Sequence, residues 1–497
     1  MTPTTAASLQ PSLEPRSLEP TSLEPRTLDD LGIPADPSEV RAARDWLADR
    51  LRSLARSLRP TQRSEIRVLA IPAPLGEPEG LLEAQPGPYG VFWHPPAGPA
   101  TAGVGVARRL DLGSNAADTR AALETLRLQA DGLWGRLESE GFEGAKAPDP
   151  RLFGGVAFTP TAADAEPWRE FGAGCFTLPR WTYRRSDTAA TLALAVDLEQ
   201  LETAGVDGLL AELDQVLGRL AVAPPPAPAR PRVLEIDSPG AELEAQVQSI
   251  RDAIRSGALS KVVAARSSRV VLADALETAD VLRRLSRGLR ASVRFAFGRQ
   301  HTTFLGATPE RLISRRDRCI ETEALAGSIA SGGEHAAELL GSPKDGREHQ
   351  LVVDEIVRCL RPLCDRFEVP AEPRIRELRD VLHLHTPVHG RLAAPHHVLD
   401  LVARLHPTPA VGGVPTAAAL DWIQRHESEA RGWYAAPVGW FDAAGDGDFA
   451  VALRSCVLRD REAFLFAGAG IVRDSDPRLE VQEIELKKQA LLTALGA

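Results

Sequence analysis

The chain has 497 residues, 43% of them hydrophobic and 25% charged, enough to bury a large core in a globular protein of more than one layer. A formal charge of −10 without any Lys/Arg block excludes nucleic acid as a partner, because phosphates require a basic footprint. No apolar run reaches membrane-span length and the amino terminus is polar from Thr2. The five cysteines (Cys175, Cys319, Cys359, Cys364, Cys456) are scattered without a Cys-x-x-Cys, so neither a disulfide framework nor a zinc finger is implied and a cytoplasmic location is expected.

Residues 12–26 repeat Ser-Leu-Glu-Pro units, whose prolines and single leucines cannot sustain an element or a core, so residues 1–35 are expected to form a disordered tail. A helix is predicted from Pro37 or Ser38, with Val40, Trp46, Leu47, Leu51 and Leu54 mostly on one face. Strand-like stretches follow at Ile66–Ile71, Gly103–Ala107, Phe153–Phe158 and Thr191–Val196, with a long amphipathic helix over Ala117–Leu137. The proline-dense stretch 221–232 reads as a linker, dividing the chain into residues 36–232 and 233–497. Beyond it, Val293–Phe297 and Thr302–Gly306 read as an antiparallel hairpin. With interspersed helices and no regular β-α alternation, the fold class is α+β.

Six polar residues of the second half, Lys261, Glu310, Glu348, Arg454, Glu483 and Lys487, each lie at the edge of an apolar or glycine-bearing segment. Lys261 opens the strand KVVAARSSRVVL after a helix with Leu243, Val247, Ile250 and Ile254 as its stripe and Gly257 as its stop. It reads either as a solvated edge charge or as a desolvated amine able to act as a base. Glu310 reads either as a surface turn residue or, in a cleft, as an acid with a raised pKa. Glu348 is expected in the first turn of a helix, and Glu480, Glu483 and Lys487 at i, i+3 and i+7 would share one helical stripe. A solvated face explains such spacing equally well. Glutamates from two helices, completed by water and a substrate carboxylate, would suit Mg²⁺. The FAGAG run at 466–470 is either a backbone approach site for a carboxylate or a plain turn. His383, His385 and His389 alternate along a strand but lack the cysteines or HExxH spacing of a zinc site.

The segments SKVVAARS, GATPERLI, ETEALAGS, SPKDGREHQLV, LHLHTP, LHPTPAVGG, ESEARGWYAAPVGW, VALRS, FAGAGIV and EVQEIELKK, in this order over residues 240–490, resemble the chorismate-utilising enzymes of menaquinone, siderophore and tryptophan biosynthesis. FGGVAF and LPRWTY look like that family's more variable amino-terminal half, so one interlocked unit is expected. The resemblance implies an anthranilate synthase component I-like fold, with large, mostly antiparallel sheets in the core and helices outside. Within the family the likeness is to the isochorismate synthases. It implies Lys261 as base, Glu310 as acid and Mg²⁺ on Glu348 and Glu483, with Glu480 as a further candidate ligand. Chorismate would be held by Arg454, Lys487 and the Gly468–Gly470 backbone, with Gly327, Ser328, His383 and Ala410 as further contacts.

The implied reaction adds water at C2 while the C4 hydroxyl departs, and implies a monomer acting on a small molecule. Ala326 stands where relatives that make aminodeoxychorismate carry a lysine nucleophile. Ala410 stands where ammonia users and salicylate formers tend to carry threonine. Ile329-Ala330-Ser331 replace the arginines often found after AGS. A salicylate synthase and a non-catalytic scaffold are the competing readings.

Overall fold

Strands that are apolar at every position need burial on both faces, and this chain supplies it by stacking two sheets between layers of helices. In Ile66–Pro72, Ile66, Val68 and Ala70 join the cluster between the sheets, while Leu69 and Ile71 join a second cluster beneath the helices. Ala43, Leu47 and Leu51 of the helix Pro37–Ser57 belong to that second cluster, as its stripe predicts. The computed structural model describes residues 36–57, 65–83, 88–113, 118–144, 149–159, 165–222, 231–238, 240–332, 335–378 and 381–496. The repeat tail and residues 223–230 of the linker lie outside the described residues.

The larger sheet runs from Val233–Asp237 through Lys261–Leu272, Glu462–Ile471, Ser455–Arg459, Thr302–Thr308 and Val293–Arg299. It then continues into strands of the first half, beginning with Gly90–His94 and Ala100–Val104. The smaller sheet places Val381–Leu392, Cys319–Ala330, Arg311–Arg316, Gly447–Val451 and Pro437–Asp442 beside Arg151–Val156 and Gly174–Leu178. Both sheets therefore contain strands from both sides of the proline-rich stretch. Phe92 pairs with Ala296 and Gly154 with Gly439. Ile66–Pro72 and Leu137–Gly141 pair in parallel, within sheets that are otherwise antiparallel.

Several boundaries differ from expectation for local reasons. The strand expected at Gly103–Ala107 is Ala100–Val104, because Gly105 turns the chain at φ +68°. The helix expected over Ala117–Leu137 is Thr119–Trp134, started by the Asp118 side chain accepting from Ala121 N–H and ended at Gly135, after which Leu137–Gly141 is a strand. Ser342 and Pro343 start the next helix of interest, Pro343–Leu360, so Glu348 lies in its second turn rather than its first. FAGAG is no turn: it runs through the strand Glu462–Ile471.

Candidate active site

Where the two sheets meet the helices Pro343–Leu360 and Pro477–Leu495, a cavity encloses ≈ 1000 Å³, part of it open to solvent. The strand Lys261–Leu272 and its neighbour Glu462–Ile471 form one wall, to which Gly468 and Gly470 contribute. A Cβ on Gly470 would sit 2.7 Å from Lys261 Cε and 2.9 Å from Glu348 Oε1, so this position has no room for a side chain. The opposite wall comes from Cys319–Ala330. Gly327, at φ +73°, forms a bulge against Val381–Leu392, and Ala326, Gly327 and Ser328 all reach the cavity in succession. His383 enters from the paired strand.

Glu480, Glu483 and Lys487 do share a face of the carboxy-terminal helix, and all three line the cavity. Asp476 caps that helix, accepting from the Arg478 and Leu479 amides. Lys487 Nζ donates to Glu483 Oε1 at 2.7 Å and to the Gly468 carbonyl at 3.1 Å, and Ser328 Oγ donates to Glu483 at 2.7 Å. Glu310, Glu348, Ala410 and Arg454 complete the predicted set. Lys261 is the exception. Its side chain is buried rather than a solvated edge charge and does not itself line the cavity, but it reaches the edge beside Gly470, with Nζ donating to the lining Glu348 Oε1 at 2.7 Å.

The carboxyls of this cavity are tuned in opposite directions. Glu310 is buried rather than a surface turn residue; desolvation and the charge of Glu323 outweigh Lys261 and Lys487 and push its pKa up to about 8. Burial also opposes ionisation of Glu483, but the charge and hydrogen bond of Lys487, with help from Ser328 and Lys344, hold it down to about 2. Glu480 is raised by burial and by the charge of Glu483. His383 is lowered to about 3 by burial and by Arg454 and Lys487, so it is a neutral imidazole. Its Nδ1 lies 3.2 Å from the Gly327 carbonyl, which assigns the proton to Nδ1 and leaves Nε2 as an acceptor without a protein partner.

Among the described residues, no group of three or more His, Cys, Asp and Glu is arranged to hold a metal. The carboxylates that line the cavity and could hold a metal are Glu348, Glu480 and Glu483, with Asp345 one turn before Glu348. Few carboxylates with the remaining positions left to water and ligand is a donor set that fits Mg²⁺. The three strand histidines part company: His383 faces the cavity, His385 Nε2 meets Glu323 at 2.8 Å and His389 is exposed. Sequence reasoning missed Lys344 and Asp345, which line the cavity one helical turn before Glu348, a spacing that could have revealed them. It also missed Tyr434 and Phe466, whose stacked rings carry no spacing signal.

The family model described as chorismate binding enzyme matches residues 55–496. The salicylate biosynthesis isochorismate synthase of Pseudomonas aeruginosa is 39% identical over 361 residues, 70% of this chain and 75% of that protein. The solved menaquinone-specific isochorismate synthase from Escherichia coli has a TM-score of 0.73 at 27% identity, covering 92% of this chain and all (100%) of that one. Anthranilate synthase component I from Streptococcus pneumoniae has a TM-score of 0.55 at 24% identity over 71% of this chain and 82% of that one, which bears out the expected fold. With a family match that spans both sheets and the whole cavity wall, this chain belongs to the chorismate-binding enzymes.

Proposed function

We propose that the protein is an isochorismate synthase, isomerising chorismate by adding water at C2 and expelling the C4 hydroxyl. The observation that carries this reading is the burial of Glu310, protonated near neutral pH, in the same cavity as the ionised Glu483 and the cations Lys487 and Arg454. A protonated carboxyl can give its proton to the departing hydroxyl oxygen, while the diene shifts by one position and water forms the new C–O bond. Lys261 takes the proton from that water. Its Nζ is held by Glu348 Oε1 at 2.7 Å, which fixes the amine at the edge of the cavity. Lys487 and Arg454 supply positive charge for the substrate carboxylates, and the Gly468–Gly470 backbone allows close approach.

Glu348 and Glu483 would hold Mg²⁺, which when bound supplies a point of positive charge that orients a carboxylate. Glu348 would serve both groups, since one of its carboxylate oxygens already accepts from Lys261. The similarity to isochorismate synthases of salicylate and menaquinone biosynthesis supports a product destined for a siderophore-type aryl acid or for menaquinone.

The test is incubation of purified protein with chorismate and Mg²⁺, with products separated by chromatography. Isochorismate alone is expected. Salicylate would favour the elimination that Ala410 argues against, and no turnover would favour a scaffold. Chelation should abolish turnover and added Mg²⁺ restore it; turnover at full rate in excess chelator refutes the metal role. Wild-type rates in Lys261→Ala would remove Lys261 as the base.

A further inference from the structure

Glu323 lies on the strand Cys319–Ala330 and does not line the cavity. Its carboxylate is nonetheless tied from three sides. Oε1 accepts the backbone N–H of Arg311, the residue after Glu310, at 3.1 Å. Oε2 accepts Arg376 Nη1 at 2.6 Å, and His385 Nε2 lies 2.8 Å from it. Arg376 is itself anchored through Nη2 to the Ala291 carbonyl at 3.0 Å. With three donors, Glu323 stays ionised against the cost of its burial; the His385 hydrogen bond and the charge of Arg376 hold its carboxyl below the usual range. The peptide of Glu310 is fixed on its other sides by Thr308 Oγ1, which accepts its N–H at 3.2 Å, and by Val451 N–H, which donates to its carbonyl at 3.0 Å.

We propose that Glu323, clamped by His385 and Arg376, is a positioning residue for Glu310: it holds the peptide that aims the acid and supplies a fixed negative charge against which Glu310 would have to ionise. The charges acting on Glu310 are Glu323 on the adjacent strand, Lys261 on the opposite sheet and Lys487 on the carboxy-terminal helix, with the neutral Tyr434 hydroxyl also coupled to it. Of these, Glu323 alone opposes loss of the Glu310 proton, while both lysines favour it. The inference rests on the proposed acid role of Glu310.

Formation of isochorismate by the wild-type protein, with kcat/KM falling above about pH 8, secures that underlying role; its absence defeats the role rather than the clamp. Given that activity, Glu323→Gln should move the basic midpoint down by about one pH unit. Glu323→Asp, which keeps the charge, should retain the wild-type midpoint even where its rate falls. A purely structural role predicts the reverse, with the isosteric glutamine the milder change. An unmoved midpoint in Glu323→Gln, or equal shifts in the two variants, overturns the proposal. Difference infrared spectroscopy of the Glu310 carboxyl, assigned with Glu310→Gln, reads the same midpoint without turnover. Should Glu323→Gln fail to fold, Arg376→Gln serves instead: it removes the counter-charge and should raise the midpoint, and a fall or no change overturns the proposal.

Discussion

Glu310 and Glu483 are the same residue type in one cavity, separated in behaviour by their neighbours. One faces a fixed anion and desolvation, the other a lysine and a serine hydroxyl. Glu310→Gln keeps the shape but removes the transferable proton, and kcat should fall by about 10²–10⁴ in a steady-state chorismate assay. For Glu483 the sign of the stability effect follows from its depressed pKa. Its contribution is complete above the unfolded value of about 4.3 and is lost as pH falls towards 2. The difference in unfolding free energy between wild type and Glu483→Gln should therefore shrink between pH 6 and pH 2.5 in urea titrations. Gly470→Ala forces a methyl into the Lys261–Glu348 pair, and activity should fall by more than tenfold while the far-ultraviolet circular dichroism is retained. Lys261 itself was legible as a residue out of place at a strand mouth. Its pairing with Glu348, 87 residues away, was not, because spacing along a strand says nothing of which helix lies across it.

Among the elements, the carboxy-terminal helix was the most legible, since a 3.6-residue period alone brings Glu480, Glu483 and Lys487 to one side. What the period could not decide was whether that side met solvent or a cavity; the strand Glu462–Ile471 beneath the helix decided it. The cap that starts this helix offers a test of how tightly the proposed metal ligand Glu483 depends on it. Asp476→Ala removes the acceptor of two amides and should cost about 1 kcal/mol in thermal or urea unfolding. Because Asp476 starts the helix that carries Glu483, the same variant should need more Mg²⁺ for half-maximal activity, read by titration of the metal. The bulge at Gly327 was invisible in advance: ETEALAGS continues as a strand through its glycine, and only the register against Val381–Leu392 shows the extra residue. Glu323 escaped notice for a related reason, as its clamp draws on a third strand, Arg374–Leu378.

Across the whole molecule, the α+β class followed from hairpin patterns, but the pairing of distant strands did not. The apolar runs fit any neighbour that covers both faces. The proline-rich stretch suggested a divide in sequence, yet no sheet respects it. A fragment of residues 233–497 should therefore lack cooperative thermal unfolding, because Val293–Arg299 would lose Gly90–His94 and Pro437–Asp442 would lose Arg151–Val156. Co-expression with the other half should restore it. The pairing of Phe92 with Ala296 also bears on biosynthesis. At ordinary ribosomal speeds the roughly 200 intervening residues take about 10–40 s to emerge. Throughout that delay the nascent chain carries an uncovered strand edge, so slower translation or depletion of holdase chaperones should lower the yield of active enzyme without altering the activity of the molecules that mature.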